Sequence, residues 1–157
     1  MTMIDGSASL QISSTTRTAA SIAEALGIPA THMAEKGDLR LDIRGNPTRG
    51  PRPVYEYAAW SVTVDGDEAT DDSSAGFTSL RTLVEQFSGK AQALGELRDT
   101  GEYEMYVSWH GTSGSSQGGF VLPLDLLTGF VELGCDLFGS VYSYEEPEIG
   151  ESAPHRG

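Results

Sequence analysis

Two apolar periods take turns along this chain, and their order constrains its fold more than any other feature. Ala8, Leu10 and Ile12 alternate with Ser9, Gln11 and Ser13, the period of a half-buried strand. From Thr16 to Leu26 the apolar residues Ala19, Ile22, Ala23 and Leu26 fall at helical spacing, with Thr15 and Thr16 as a cap and Gly27 and Pro29 as a stop. Leu39, Leu41 and Ile43 alternate with Arg40, Asp42 and Arg44 and predict a second strand. The proline-bearing loop Gly45–Pro53 joins it, as a hairpin, to a third strand over Tyr55–Val64. Phe77, Leu80, Leu83, Val84 and Phe87 return to the helical period; Ser88 and Gly89 interrupt it, and Ala91, Leu94 and Leu97 carry a shorter helix towards Gly101. Tyr103, Met105, Val107 and Trp109 alternate as a fourth strand, Leu124, Leu127, Phe130 and Val131 mark a helix starting near Pro123, and Leu137–Tyr144 reads as a last strand.

The first six elements follow the order of a ferredoxin-like α+β unit, and the last helix and strand are additions to it. The expected architecture is a mainly antiparallel sheet of about five strands with two to three helices on one face. No internal repeat or second domain is visible. Residues 1–144 read as a single domain, and 145–157, with four acids, two prolines and little apolar content, as an acidic tail expected to be disordered.

At 157 residues and 38% hydrophobic content, the chain is long enough to bury a core without a disulfide or metal. Its one cysteine, Cys135, reads as a small buried hydrophobe. Met1–Ser7 lacks the basic start and apolar run of a signal peptide, and Pro123 and Asp125 break the longest apolar stretch, Phe120–Phe130, so a cytoplasmic protein is expected. The formal net charge of −13 repels nucleic acid and anionic membranes and favours a basic partner.

No chemical motif survives its context. Gly114, Ser116 and Gly118 fit the G-x-S-x-G pattern, but an extended Phe120–Leu122 follows where the nucleophile elbow needs a helix, and the downstream His155 lies in the tail. The same loop lacks the lysine of a phosphate-binding loop. Ala69 and Gly76 stand where an EF-hand would need ligands, which leaves the acidic segment as a solvated turn. His32, His110 and His155 have no zinc spacing. No catalytic, cofactor-binding or metal-binding residue is therefore assigned, and no enzymatic activity is expected.

Two surfaces stand out beside the acidic segment. Lys36–Arg52 is locally +3, with five basic residues against Asp38 and Asp42, and reads as the charged face of an edge hairpin. Tyr55, Tyr57, Tyr106 and Tyr144 fall on strand faces opposite the driest alternation; packing beneath the helices is the expectation, and an exposed aromatic platform is the alternative.

The chain resembles the bacterial family of domain of unknown function 4279. The resemblance runs from about Ala8 to Tyr144: a short opening strand, a helix leading to Leu26, Gly27 and Ile28, then Pro29, Ala30 and Thr31, a turn at Lys36, Gly37 and Asp38, the strand tryptophan Trp60, a leucine helix through Leu80 and Leu83, the Gly118 and Gly119 pair, and Leu133 and Gly134 before a final strand ending at Tyr142. Gly139 departs from the more apolar final strand of that pattern. The resemblance implies a compact α+β domain and supplies no catalytic residue.

The reading that follows is a non-enzymatic acidic interaction protein, of immunity or inhibitor type, for a basic protein such as a toxin, nuclease or defence effector. Asp65, Asp67, Glu68, Asp71 and Asp72, helped by Glu102 and Glu104, form the expected partner-binding patch. A small-ligand or regulatory module, using the sheet face and the Gly111–Gly119 loop, and a nucleic-acid mimic are the alternatives. The chain is expected to be a monomer or a homodimer.

Overall fold

The alternation at Ala8, Leu10 and Ile12 lies on β1, Met3–Ser14, the central strand of the sheet, and decides which side of it the chain covers. The computed structural model describes residues 3–42, 44–51, 53–66, 77–113 and 121–143, the side chains of 3–5, 113 and 143 apart. After β1 come α1 (Ala19–Leu26), β2 (His32–Ala34), β3 (Ala58–Asp65), α2 (Thr78–Gln86), α3 (Ala91–Asp99), β4 (Glu104–Ser113), α4 (Leu124–Leu133) and β5 (Asp136–Ser143). The strands lie in the order β2-β3-β1-β4-β5. The first three neighbouring pairs are antiparallel, and β5 joins β4 in parallel through the α4 crossover. With β3 inserted between β1 and β2, the first four strands form the split β-α-β arrangement of a ferredoxin-like unit, and α4 and β5 extend it.

One face of the sheet is dry. Ala8, Leu10 and Ile12 of β1, Trp60 and Val62 of β3, and Val107 and Trp109 of β4 point towards the helices. Ile22 and Leu26 of α1, Leu80 and Leu83 of α2, Leu94 and Leu97 of α3, and Leu126, Phe130 and Leu133 of α4 meet them in one cluster. Phe87, at the break between α2 and α3, stands edge-on to Trp60 with ring centroids 6.2 Å apart. The Ser88 and Gly89 interruption thus yields two helices, and among the described residues four pack on this face, more than the two to three expected.

The ends of the helices follow local chemistry. Thr18, two residues beyond the expected cap, accepts the Ser21 N–H at 3.1 Å, and Gly27 closes α1 in the left-handed region at φ 63°. Pro123 opens α4 and Gly134, at φ 66°, closes it.

The alternation at Leu39–Arg44 misleads. The place beside β3 is taken by His32–Ala34, while Leu39 and Leu41 make only isolated bridges to Val54 and Pro47 and are each 57% exposed. A turn sends the chain off the sheet after Ala34: the Asp38 carboxylate accepts the Glu35 N–H at 2.8 Å, and Gly37 sits at φ 92°. The prolines at 47, 51 and 53 then keep the excursion from building a ladder. Tyr55–Tyr57 belong to this excursion, so the expected 55–64 strand begins only at Ala58.

Candidate functional site

Because side chains alternate across a strand, the residues between the core positions form the second face of the sheet, turned away from the helices. Its middle is small and polar. Ser9 and Thr63 share a hydroxyl hydrogen bond of 2.9 Å, and Ser108, which pairs with Ser9 on β1 and Phe138 on β5, is buried. Its flanks are aromatic, with Tyr106 on β4, Phe138 and Tyr142 on β5, and Tyr57 and His32 towards the β2 edge.

At the end of this face where β1 turns into α1 and β4 begins, the surface sinks into a cup of about 600 Å³. Gln11, Ser13, His32, Tyr55, Tyr57 and Tyr106 line its floor and walls, and Glu102 and Glu104 lie on the side where β4 starts. Each wall is fixed by a polar contact. The Tyr106 hydroxyl donates to Gln11 Oε1 at 2.6 Å, and the Tyr55 hydroxyl and His32 Nε2 lie 3.0 Å apart, their rings 5.8 Å between centroids. The Arg40 guanidinium stacks 5.0 Å above the Tyr55 ring, which orients the phenol from the side of the excursion.

The turn beside the cup is tied down as firmly. Ser14 Oγ donates to the Glu102 carbonyl at 2.7 Å and accepts the Arg17 N–H at 2.9 Å. Arg17 Nε donates to the Glu102 carboxylate at 2.6 Å. Glu102 is thereby partly neutralised, whereas Glu104 is exposed and has no ion pair among the described residues. Among the described residues the lining offers phenols, an imidazole, an amide and two carboxylates, with no lysine or arginine. Such a cup suits a cation or a hydrogen-bonding group, held by aromatic faces and carboxylate oxygens.

The tyrosines are therefore not core residues. Tyr57 and Tyr106 are 40% and 41% exposed and Tyr55 is half-buried, because the helices cover only the opposite face. Tyr144 lies outside the described residues. His32, which has no metal-binding spacing in the sequence, is a cup residue.

Of the acidic residues that the structure describes, Asp65 lies apart from Glu102 and Glu104. Asp65 pairs across to Ser7 and Glu104 to Ser13, so the two acids stand at opposite ends of the sheet, six β1 residues apart, or about 20 Å. Asp67, Glu68, Asp71 and Asp72 lie outside the described residues, as does the Gly114–Gly118 loop. Among the described residues no group of His, Cys, Asp and Glu is arranged to hold a metal ion.

Cys135 is half-buried instead of buried, just past the α4 cap, and its burial pushes the thiol above its ordinary value. A second, apolar cavity of about 250 Å³ lies on the helix side, between Phe77, Leu80, Trp109, Leu122, Leu137 and Val141. Among the described residues no helix is long and apolar enough to cross a membrane.

A family model described as a domain of unknown function, DUF4279, matches residues 4–144. No curated protein and no solved structure matches the chain.

Proposed function

The chain belongs to the DUF4279 family, whose description carries no activity, and from the site itself we propose that it is a non-enzymatic binding protein for a basic protein partner. The carrying observation is the cup on the sheet face turned away from the helices, where four tyrosines and His32 surround a surface with carboxylates at one side and, among the described residues, no lysine or arginine in its lining. Tyrosines supply large contact area at low entropic cost and are enriched among residues that dominate interface energy. A lysine or arginine of the partner, placed over Tyr57 or Tyr106 and paired with Glu104, gains both a cation–π contact and an ion pair. The −13 charge speeds capture of such a partner at long range and supports an inhibitor or immunity-type role towards a toxin, nuclease or defence effector.

The test is capture from the native host lysate on the immobilised chain, followed by measurement of the retained basic protein against variants. Association should slow steeply as salt rises, and Tyr57→Ala with Tyr106→Ala should weaken binding by roughly tenfold or more, as expected when central aromatic anchors are truncated. Equal binding by the double variant would remove this face from consideration.

A small-ligand module is the second reading, favoured by the size of the cup. Its volume of about 600 Å³ falls within the usual range of ligand pockets. A thermal-shift screen of metabolites distinguishes it, since a ligand that binds only the native state raises the melting temperature saturably.

A further inference from the structure

We infer that β5 is a self-association edge, pairing antiparallel with β5 of a second copy about a two-fold axis through Ser140. This rests on the strand's edge and not on the cup, so it stands independently of the function proposed above. β5 ends the strand order: one side of it is hydrogen-bonded to β4, and among the described residues its other side has no strand.

Exposed edges normally carry charges, prolines or bulges that block pairing. The β2 edge does: it is three residues long and runs into the charged, proline-bearing excursion. β5 does not. From Leu137 to Ser143 it has no charged residue and no proline, in a chain of net charge −13. Phe138 and Tyr142 stand on its helix-free face, 60% and 61% exposed. In so acidic a molecule, this uncharged edge is where two copies can approach without opposing carboxylates.

Parity then selects the register. A two-fold axis perpendicular to the sheet keeps each residue on its own face, so facing residues must differ by an even number of positions. Centring on Ser140 places Phe138 opposite Tyr142 of the second copy, and the reverse, which makes two aromatic cross-strand pairs on the open face. On the helix side Val141 falls opposite Gly139 of the second copy, where no atom of the described residues lies within 4 Å of the position a Cβ would take. The two Asp136 carboxylates are left at opposite ends of the paired strands.

The same axis keeps both helical layers on one side. α4, the crossover helix that leads into β5, presents Leu124 and Val131 at 78% and 80% exposure with Leu127 between them, a stripe at helical spacing. Both copies of this stripe come to the same side of the joined sheet.

Sedimentation velocity on the full chain, over a range of concentration and salt, tests the inference. A reversible species of twice the 16.7 kDa chain mass is expected. It should tighten severalfold as ionic strength rises from about 0.01 to 0.15 M, because screening weakens repulsion between two like-charged copies. Capture of a basic partner has the opposite salt dependence, so failure of either reading is distinguishable from failure of the other. Phe138→Lys with Tyr142→Lys should leave a monomer with unchanged circular dichroism. In a Cys135→Ser background, Ser140→Cys should form a disulfide-linked dimer under mild oxidation, since directly opposed residues of an antiparallel pair lie within disulfide reach. Phe138→Cys should not. A monomer at every concentration and salt, or equal cross-linking at positions 138 and 140, would overturn the inference.

Discussion

Gly129 on α4 faces Val84 on α2 so closely that a Cβ at position 129 would stand 2.5 Å from Val84 Cγ1. This is where α4 lies against the rest of the helical layer, and only a residue without a side chain fits the approach. Gly129→Ala gains about 1 kcal/mol of helix propensity but forces the two helices apart. Overpacking of this kind costs ~1–3 kcal/mol, and we expect a net loss of about 1 kcal/mol in denaturant unfolding. Adding Val84→Ala should recover part of the loss through coupling between the two sites. Additive effects would show that the approach is not tight.

Glu35 holds the start of α1 from outside the helix. Its two carboxylate oxygens each accept an N–H, from Ala19 and Ala20, both at 2.9 Å. A carboxylate there also faces the positive end of the helix dipole. Glu35→Ala leaves two first-turn donors without this acceptor and should cost ~1–2 kcal/mol, the range for lost caps. Glu35→Gln keeps a single acceptor oxygen, enough for one of the two N–H groups, and should cost less than Glu35→Ala. Equal stability of all three proteins would mean that water replaces the carboxylate without loss.

How much of this was legible in the sequence depended on whether burial or topology decided the outcome. Ala8, Leu10 and Ile12 announced β1 because their alternation is the direct imprint of one covered face. Gly27 announced the end of α1 because left-handed backbone selects glycine, and Gly134 ends α4 in the same conformation. Leu39 and Leu41 carry the same alternation yet are exposed, since a turn at Gly37 places them beyond the sheet, and local pattern contains no record of such an exit. The cup was hidden for a related reason. Tyr55, Tyr57 and Tyr106 lie on the face opposite the core, but which face four helices choose is settled by packing over the whole chain. Glu102 and Glu104 looked like neighbours of Asp65 in charge alone, and strand register separates them.

Cys135 should be a poor nucleophile in the folded chain. Burial is the main cause that raises its thiol above the ordinary value, with Asp136 adding to it and Arg98 opposing. The thiolate, the reactive form, is correspondingly scarce near neutral pH. Reaction with a chromogenic disulfide reagent at pH 7 should be slower than for a free thiol and should accelerate in denaturant. A rate equal to that of the unfolded chain would contradict the burial.

Arg81 and Asp125 tie α2 to the first turn of α4, with Arg81 Nη1 donating to Asp125 Oδ2. The hydrogen bond from Arg81 is the largest cause holding the Asp125 carboxyl below its ordinary value, and its own charge attraction adds to it. A carboxyl whose value is lower in the folded state than in the unfolded one stabilises the fold where it is ionised. That contribution is complete above the unfolded value of about 3.9 and is lost as pH falls through the lower folded value. Asp125 is exposed, so the effect is small and screened by salt. Asp125→Asn should therefore unfold at a slightly lower denaturant concentration than the natural chain at neutral pH, with the gap closing as the pH falls through the lowered folded value of Asp125 and also closing in high salt. A gap that is the same at neutral pH and in acid would show that the pair contributes through packing alone.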